Sequence, residues 1–245
     1  TAVGIISNLN PKMDYVISNH RNHGHYLAFG GELKPFFAEL LGREGALCNG
    51  YGGSQHIEWK NFFSFGILGG TAPIACGMAL AIKLKNDKPS IIALFLGDGA
   101  FGEGVVYEAL NITALWELPL FIIVENNRIA QTTPIIKNMA GSIEDRIRAF
   151  GIETTVLKTS DVEIIYDAAQ KIIEEIRLKR LCRCLIINNH RLGPHSKGDD
   201  TRSVKEMREA KNDDPLTRIE QKLGKENFMR IQKKVKNEVN QILCE

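Results

Sequence analysis

Residues 90–127, SIIALFLGDGAFGEGVVYEALNITALWELPLFIIVENN, decide the fold class. Ile91 to Leu96 is an unbroken apolar run of strand length, which fits a strand covered on both faces in a parallel sheet. The run stops at Gly97-Asp98-Gly99, where two glycines let the backbone turn and approach a ligand closely. The spacing predicts a helix from about Glu103 to Glu117, with Val106, Ala109, Leu110 and Thr113 on one stripe. Pro119 marks its exit, and Leu120 to Val124 is a second buried strand that ends at Glu125-Asn126-Asn127. A β-α-β unit places its ligands at the carboxyl ends of its strands, and Asp98 and Asn127 stand at those ends.

A carboxylate and an amide oxygen on neighbouring strands suit a hard divalent cation. Mg²⁺ takes oxygen ligands, usually with one or two carboxylates and the remainder from water and substrate phosphates. A backbone carbonyl just after Asn127 would add a third protein oxygen and leave room for a diphosphate. The bare N–H groups of the glycines and the start of the following helix both favour an anion.

The chain has 245 residues, enough for one large α/β domain or two small ones, with 44% hydrophobic and 24% charged residues, as in an ordinary globular protein. A net charge of +2 gives no reason to expect a nucleic-acid partner. No apolar run reaches membrane-spanning length and the start lacks a secretory pattern, so no membrane partner is expected and the cytoplasm is the expected compartment. The mitochondrial matrix is the alternative if a targeting segment preceded Thr1. Five scattered cysteines, an odd number, read as buried free thiols.

In chain order, residues 1–19 offer a short apolar patch and Pro11. His20-Arg21-Asn22-His23-Gly24-His25 is a polar cluster that suits a metal, a solvated loop, or, through Arg21 and His23, a diphosphate. A short helix is predicted from Lys34 to Leu41. The glycine-rich stretch 42–56 reads as a flexible loop serving a ligand or partner. An Ala-rich helix with small residues for close packing follows from Pro73 to Leu84. Ser142-x-x-Asp145 and Ser160-x-x-Glu163 look like helix-opening boxes, the second helix burying Ile164, Ala168, Ile172 and Ile176. Cys182 to Ile187 is a further strand, residues 192–200 a mobile loop, and Phe228, Ile231, Val235, Val239 and Ile242 mark an amphipathic C-terminal helix.

Gly-Asp-Gly followed by Asn-Asn resembles the thiamine diphosphate (ThDP) motif that holds magnesium diphosphate. The ordered series His-Arg-x-His-Gly, Ala-Glu-Leu-x-Gly-Arg, Gly-x-Gly-Gly-Ser-x-His, Gly-Ile-x-Gly, Gly-Asp-Gly, Glu-Asn-Asn and Arg-x-x-x-His-Ser extends the likeness over roughly residues 20–220. It resembles the α subunit of the decarboxylating component of 2-oxo acid dehydrogenase complexes, pyruvate dehydrogenase type. The resemblance implies a ThDP-binding α/β fold, with a mostly parallel central sheet, helices on both faces and a C-terminal amphipathic helix. It implies one diphosphate-binding domain over residues 1–245, with 1–60 as an N-terminal and glycine-rich loop region and 201–245 as a helical extension.

The same resemblance implies Mg²⁺ on Asp98, Asn127 and the Ile129 carbonyl, a position commonly tyrosine in the family. Arg21, Gly97, Asp98, Gly99, Ala100 and His195 would meet the diphosphate, and Gly66 and Leu68 the aminopyrimidine. His195 and His23 are the catalytic candidates, and Ser196 matches a serine phosphorylated in some members. The implied reaction is oxidative decarboxylation of a pyruvate-type 2-oxo acid with acyl transfer to a lipoyl group. The implied partners are a β subunit carrying the pyrimidine-binding domain and the catalytic glutamate, in an α₂β₂ assembly, and a lipoyl-bearing acyltransferase. Phe101 beside the diphosphate loop departs from the family pattern and weakens any transfer of substrate preference. Three other readings stand beside this one: half of a split transketolase, against which Glu125-Asn126-Asn127 argues; a ThDP enzyme of specialised metabolism; and a non-catalytic scaffold, which would have lost Asp98, Asn127, Arg21 or His195.

Overall fold

The computed structural model describes residues 1–86, 88–196 and 198–244. Among these, the strands β1 Tyr15–Ser18, β2 Glu58–Trp59, β3 Phe62–Ser64, β4 Ile92–Gly97, β5 Leu120–Asn126, β8 Thr154–Leu157 and β9 Arg183–Asn188 form one sheet. A separate two-stranded hairpin, β6 Ile129–Ala130 with β7 Thr133–Pro134, follows β5. The sheet order is β2-β3-β1-β4-β5-β9-β8, and every neighbouring pair is parallel except β2 with β3. This is the mostly parallel sheet expected, with β4 and β5 at its centre.

The apolar run in β4 has a simple cause: alternate side chains serve opposite cores. Leu94, Leu96, Ile122 and Val124 pack against the helices α4 Thr71–Lys85, α5 Gly104–Leu115 and α7 Ile143–Arg148. Ala93, Phe95, Phe121 and Ile123 pack against α1 Ala2–Ile6, α2 His23–Ala28, α3 Leu33–Leu41 and α8 Val162–Lys179. The short α6 Ile135–Asn138 follows the hairpin, and α9 Val204–Asn212, α10 Pro215–Leu223 and α11 Lys225–Cys244 close the described chain. Small residues on α4 allow the close approach to α5 that the sequence predicts: Cys76 Sγ reaches the Ala109 carbonyl at 3.3 Å.

Several expectations need correction. Residues 1–19 hold more than an apolar patch, since β1 is an interior strand between β3 and β4. Its four residues are too few for a periodic signal. The second box is displaced by one residue: Asp161, not Ser160, caps α8, accepting from the N–H groups of Glu163 and Ile164. Ser160 instead donates to the Asp213 carbonyl at 2.6 Å. Ile172 and Ile176 are buried as expected, but Ile165, Ala169 and Ile173 complete the stripe in place of Ile164, which is 50% exposed, and Ala168, which is half-buried. The first box is half as read: Ser142 caps α7, its Oγ accepting from Asp145 N at 3.0 Å, but the Asp145 carboxylate accepts from Ser142 Oγ and not from the Ser142 N–H. The polar cluster at 20–25 is not a solvated loop throughout, because Asn22 and His25 are buried and α2 starts at His23. Among the described cysteines, Cys76, Cys182 and Cys184 are buried free thiols, whereas Cys48 is half-buried and Cys244 exposed. Burial pushes all three buried thiols up, so they stay protonated and unreactive. No helix among the described residues is long and apolar enough to cross a membrane.

Candidate active site

The carboxyl ends of β1, β4, β5 and β9 open into one cavity of about 670 Å³, as a parallel sheet dictates. Asp98 begins a single 3₁₀ turn, Asp98–Gly102, that connects β4 to α5. It is 2% exposed, and its Oδ2 has no hydrogen-bond partner. Burial pushes its carboxyl up to about 6, although its own N–H, that of Asn127 and the charge of Arg191 pull the other way.

Asn126 and Asn127 divide two tasks between them. Asn126 Nδ2 donates to Asn188 Oδ1 at 2.7 Å and so ties β5 to β9. Asn127 Oδ1 accepts from Ile129 N at 3.1 Å, a turn that fixes its amide beside Asp98. Ile129 faces Pro134 as a non-hydrogen-bonded pair, because the neighbouring ladder bond runs from Ile135 N to the Arg128 carbonyl, so the hairpin does not use the Ile129 carbonyl. Asp98, Asn127 and Ile129 all line the cavity. A buried carboxylate oxygen without a donor, an amide oxygen and a main-chain carbonyl form an oxygen set that fits a hard cation. Among the described residues, no group of three or more His, Cys, Asp or Glu side chains could hold a metal, so the His20–His25 cluster is not such a centre.

The opposite wall is cationic. Arg21 donates to the main-chain carbonyl of His195, and the Nε2 atoms of His20 and His195 lie 3.1 Å apart. One of these rings must donate and the other accept. Burial, together with the charge of Arg21, pushes both imidazoles down. Arg191 reaches the Gln131 carbonyl at 3.0 Å, and its Nη2 is buried without a partner. A guanidinium N–H without an acceptor suits an anion, as the orphaned carboxylate oxygen suits a cation. The donor set therefore fits a metal–diphosphate pair.

Gly66, Leu68, Gly97 and Gly99 line the same cavity. The glycines of Gly-Asp-Gly are explained differently from expectation. Gly97 is extended, with φ −86°, and a Cβ there meets nothing, whereas a Cβ at Gly99 would lie 2.7 Å from the Ala130 Cβ. Gly99 is thus required by the hairpin packed on it. Two candidates lie off the cavity wall. Ala100 is fully buried, and His23 turns its ring edge to Phe36 at 4.9 Å with Nε2 3.2 Å from the Ser54 carbonyl. Phe101 is also fully buried in the core beside α5, so it exerts no direct selection on a ligand.

Sequence reasoning passed over His20, Gln55, Glu125 and Arg191, which line the cavity. Each lies inside a motif already quoted, but a motif does not say which of its side chains face inward. Glu125 is held below the usual carboxylate range, because His25, 3.4 Å away, and Asn19 more than offset its burial. His25 is in turn fixed by Ser18 Oγ at 2.6 Å and packs its ring against Phe95, tilted by 32° with centroids 4.2 Å apart.

The family model described as "Dehydrogenase E1 component" matches residues 1–245. The chain is 37% identical over 231 residues to the α subunit of the pyruvate dehydrogenase E1 component of Zymomonas mobilis subsp. mobilis, covering 91% of this chain and 64% of that protein. It is 36% identical over 205 residues to the α subunit of acetoin:2,6-dichlorophenolindophenol oxidoreductase of Bacillus subtilis, covering 81% and 60%. A pyruvate dehydrogenase E1 α subunit of Rickettsia bellii is 33% identical over 232 residues, covering 92% and 71%. The chain thus spans about 60 to 71% of the length of these relatives. A match from the first residue to the last, on a fold whose strand ends carry the family's motifs, places this chain in the dehydrogenase E1 component family.

Proposed function

We propose that this chain is the α subunit of a thiamine-diphosphate-dependent dehydrogenase that decarboxylates a 2-oxo acid of the pyruvate type. The observation that carries the reading is the pairing of two orphaned groups in one cavity: Asp98 Oδ2 and Arg191 Nη2 are both buried without partners. A magnesium diphosphate would satisfy both. Asp98, Asn127 and the Ile129 carbonyl would hold the cation. Arg21, Arg191, His20 and His195 would take the phosphates, with Gly97 and Gly99 behind them, and Gly66 and Leu68 would meet the ring. His195 is the candidate catalytic group, because it lies on the cavity wall within hydrogen-bond distance of His20; His23 would act through the loop it braces. When bound, thiamine diphosphate supplies a nucleophilic thiazolium carbon that attacks the 2-oxo carbon and lets carbon dioxide leave.

Activation of that carbon requires a carboxylate at the aminopyrimidine, which we assign to a β subunit in an α₂β₂ assembly. Residues 1–245 would then be one diphosphate-binding domain, with 1–60 and 201–245 as its N-terminal and C-terminal parts. A lipoyl-bearing acyltransferase would receive the acyl group, and the assembly would work in the cytoplasm. The similarity to the acetoin:2,6-dichlorophenolindophenol oxidoreductase α subunit favours a second reading, with acetoin as substrate of the same site.

The test is calorimetric titration of ThDP with Mg²⁺, on the chain alone and with the β-like protein from its source, followed by turnover of pyruvate and of acetoin. Tight, magnesium-dependent binding and turnover only in the mixture are expected, and the preferred substrate decides between the two readings. Normal pyruvate decarboxylation by the purified chain alone would overturn the shared site. An absence of binding in both preparations would overturn the cofactor.

A further inference from the structure

The glycine-rich stretch at 42–56 was expected to be flexible, yet a single buried side chain organises it. Glu39 on α3 is 1% exposed. Its Oε2 accepts from the N–H groups of Cys48 at 2.7 Å and Gly50 at 3.0 Å. Its Oε1 accepts from Gly52 at 2.7 Å and Gly53 at 3.0 Å. The left-handed backbone at Asn49, Gly50 and Gly53, with φ 55°, 78° and 58°, makes these N–H groups converge. Such a curl of successive amides is an anion-binding nest, and here the anion is the chain's own carboxylate.

The stretch that leaves this nest reaches two separate walls of the cavity. The carbonyls of Ser54 and Gln55 accept from Asn22 Nδ2 at 3.2 and 3.0 Å, and Asn22 is the residue next to Arg21. Ser64 Oγ also donates to the Gln55 carbonyl, at 3.0 Å. On the other wall the loop abuts Gly66 so closely that a Cβ there would lie 3.0 Å from Gln55 Oε1 and 3.2 Å from His56 Nε2. Gln55 itself lines the cavity.

We infer that Glu39 is a positioning residue of the site: its carboxylate shapes residues 48–53 so that Ser54, Gln55 and His56 brace Arg21 and Gly66 against the ligand. This rests on the reading of the cavity as a diphosphate site. Glu39→Gln keeps the side-chain volume but turns an NH₂ group toward N–H donors, leaving about two of the four without an acceptor. Glu39→Asp keeps the charge and withdraws it by one methylene.

The test uses the full chain assembled with its β partner and has two readouts, amide hydrogen exchange over residues 48–56 and calorimetric Kd for ThDP with Mg²⁺. For Glu39→Gln, exchange of these amides rises by roughly tenfold or more and Kd weakens by about tenfold, as expected for buried donors left unpaired. Its kcat at saturating cofactor stays within about twofold of wild type, because the transition-state contacts are untouched. Glu39→Asp falls between the two, and it decides the matter if Glu39→Gln does not fold. Faster exchange with an unchanged Kd in both folded variants assigns Glu39 a purely structural part and overturns the inference, as does unchanged exchange. A wild-type complex that binds no ThDP overturns the diphosphate reading and this inference together. Normal wild-type binding with equal binding by the variants overturns this inference alone.

Discussion

Asp98 is a buried carboxylate with one oxygen that no donor reaches, an unfavourable arrangement without a cation. Its carboxyl is pushed up to about 6 from an ordinary value near 3.8. The sign follows from proton binding: between about pH 4 and 6 the folded chain binds a proton that the unfolded chain releases. Ionised Asp98 therefore destabilises the metal-free fold above pH 6, and the penalty fades as pH falls toward 4. Asp98→Asn, denatured in chelator at pH 7.5, should be more stable than wild type by about 2–3 kcal/mol, with the gap shrinking by pH 5. It should also lose magnesium-dependent binding of ThDP. Equal stability at both pH values would sink the desolvation argument. The pair Asn126 and Asn127 divides as the sequence suggested: Asn127 lines the cavity, while Asn126 turns to Asn188 on the neighbouring strand.

At the scale of the element, α8 is the informative case. The expected cap is one residue early, because two capping residues, Ser160 and Asp161, stand side by side. The first half of the expected stripe, Ile164 and Ala168, is displaced with it, while Ile172 and Ile176 are buried as expected. Local rules favour either, and the bond from Ser160 to the Asp213 carbonyl, 53 positions away, leaves Asp161 to cap the helix. Ile165 is fully buried and Ile164 half exposed, so alanine at the two positions separates the registers. Ile165→Ala should cost about 2–5 kcal/mol of unfolding free energy in urea, and Ile164→Ala less than about 1 kcal/mol. The reverse order would restore the stripe read from the sequence. The 3₁₀ turn after β4 belongs to the same scale. It sends Phe101 into the core and leaves Asp98 and Gly99 on the cavity wall, so a departure from the family pattern became a packing choice with no bearing on the ligand.

At the scale of the whole molecule, a buried ion pair helps to pin the end of the sheet opposite the cavity. Asp14, fully buried ahead of β1, accepts from Arg177 on α8 at 3.0 and 2.6 Å and from Ile91 N at 3.2 Å. Arg177 also donates to the Pro89 carbonyl at 2.7 Å, so this contact joins α8, β1 and the approach to β4. Arg177→Ala would leave a buried charge unpaired and should cost about 3–5 kcal/mol, measured by chemical denaturation. A loss below about 1 kcal/mol would mean that water or a lysine takes over the pairing. Binding of ThDP by the folded fraction should change little, because the pair lies at the far end of the strands from Asp98.

The sequence by itself determined the β-α-β centre, the family and the positions that carry its motifs. Those signals are local: apolar runs of strand length, helical spacing, and glycine, aspartate and asparagine at strand ends. Only the tertiary structure decided which motif residues face one another. His20 meets His195, Arg191 joins the cavity wall, the side chains of His23 and Ala100 are not part of it, and Glu39 holds a loop whose glycines suggested mobility. These outcomes depend on burial and on contacts between residues far apart in the chain, and neither leaves a periodic trace in the sequence. The four-residue strand β1 was missed for the same reason: its place inside the sheet comes from pairing with β3 and β4, which no window of its own residues reveals.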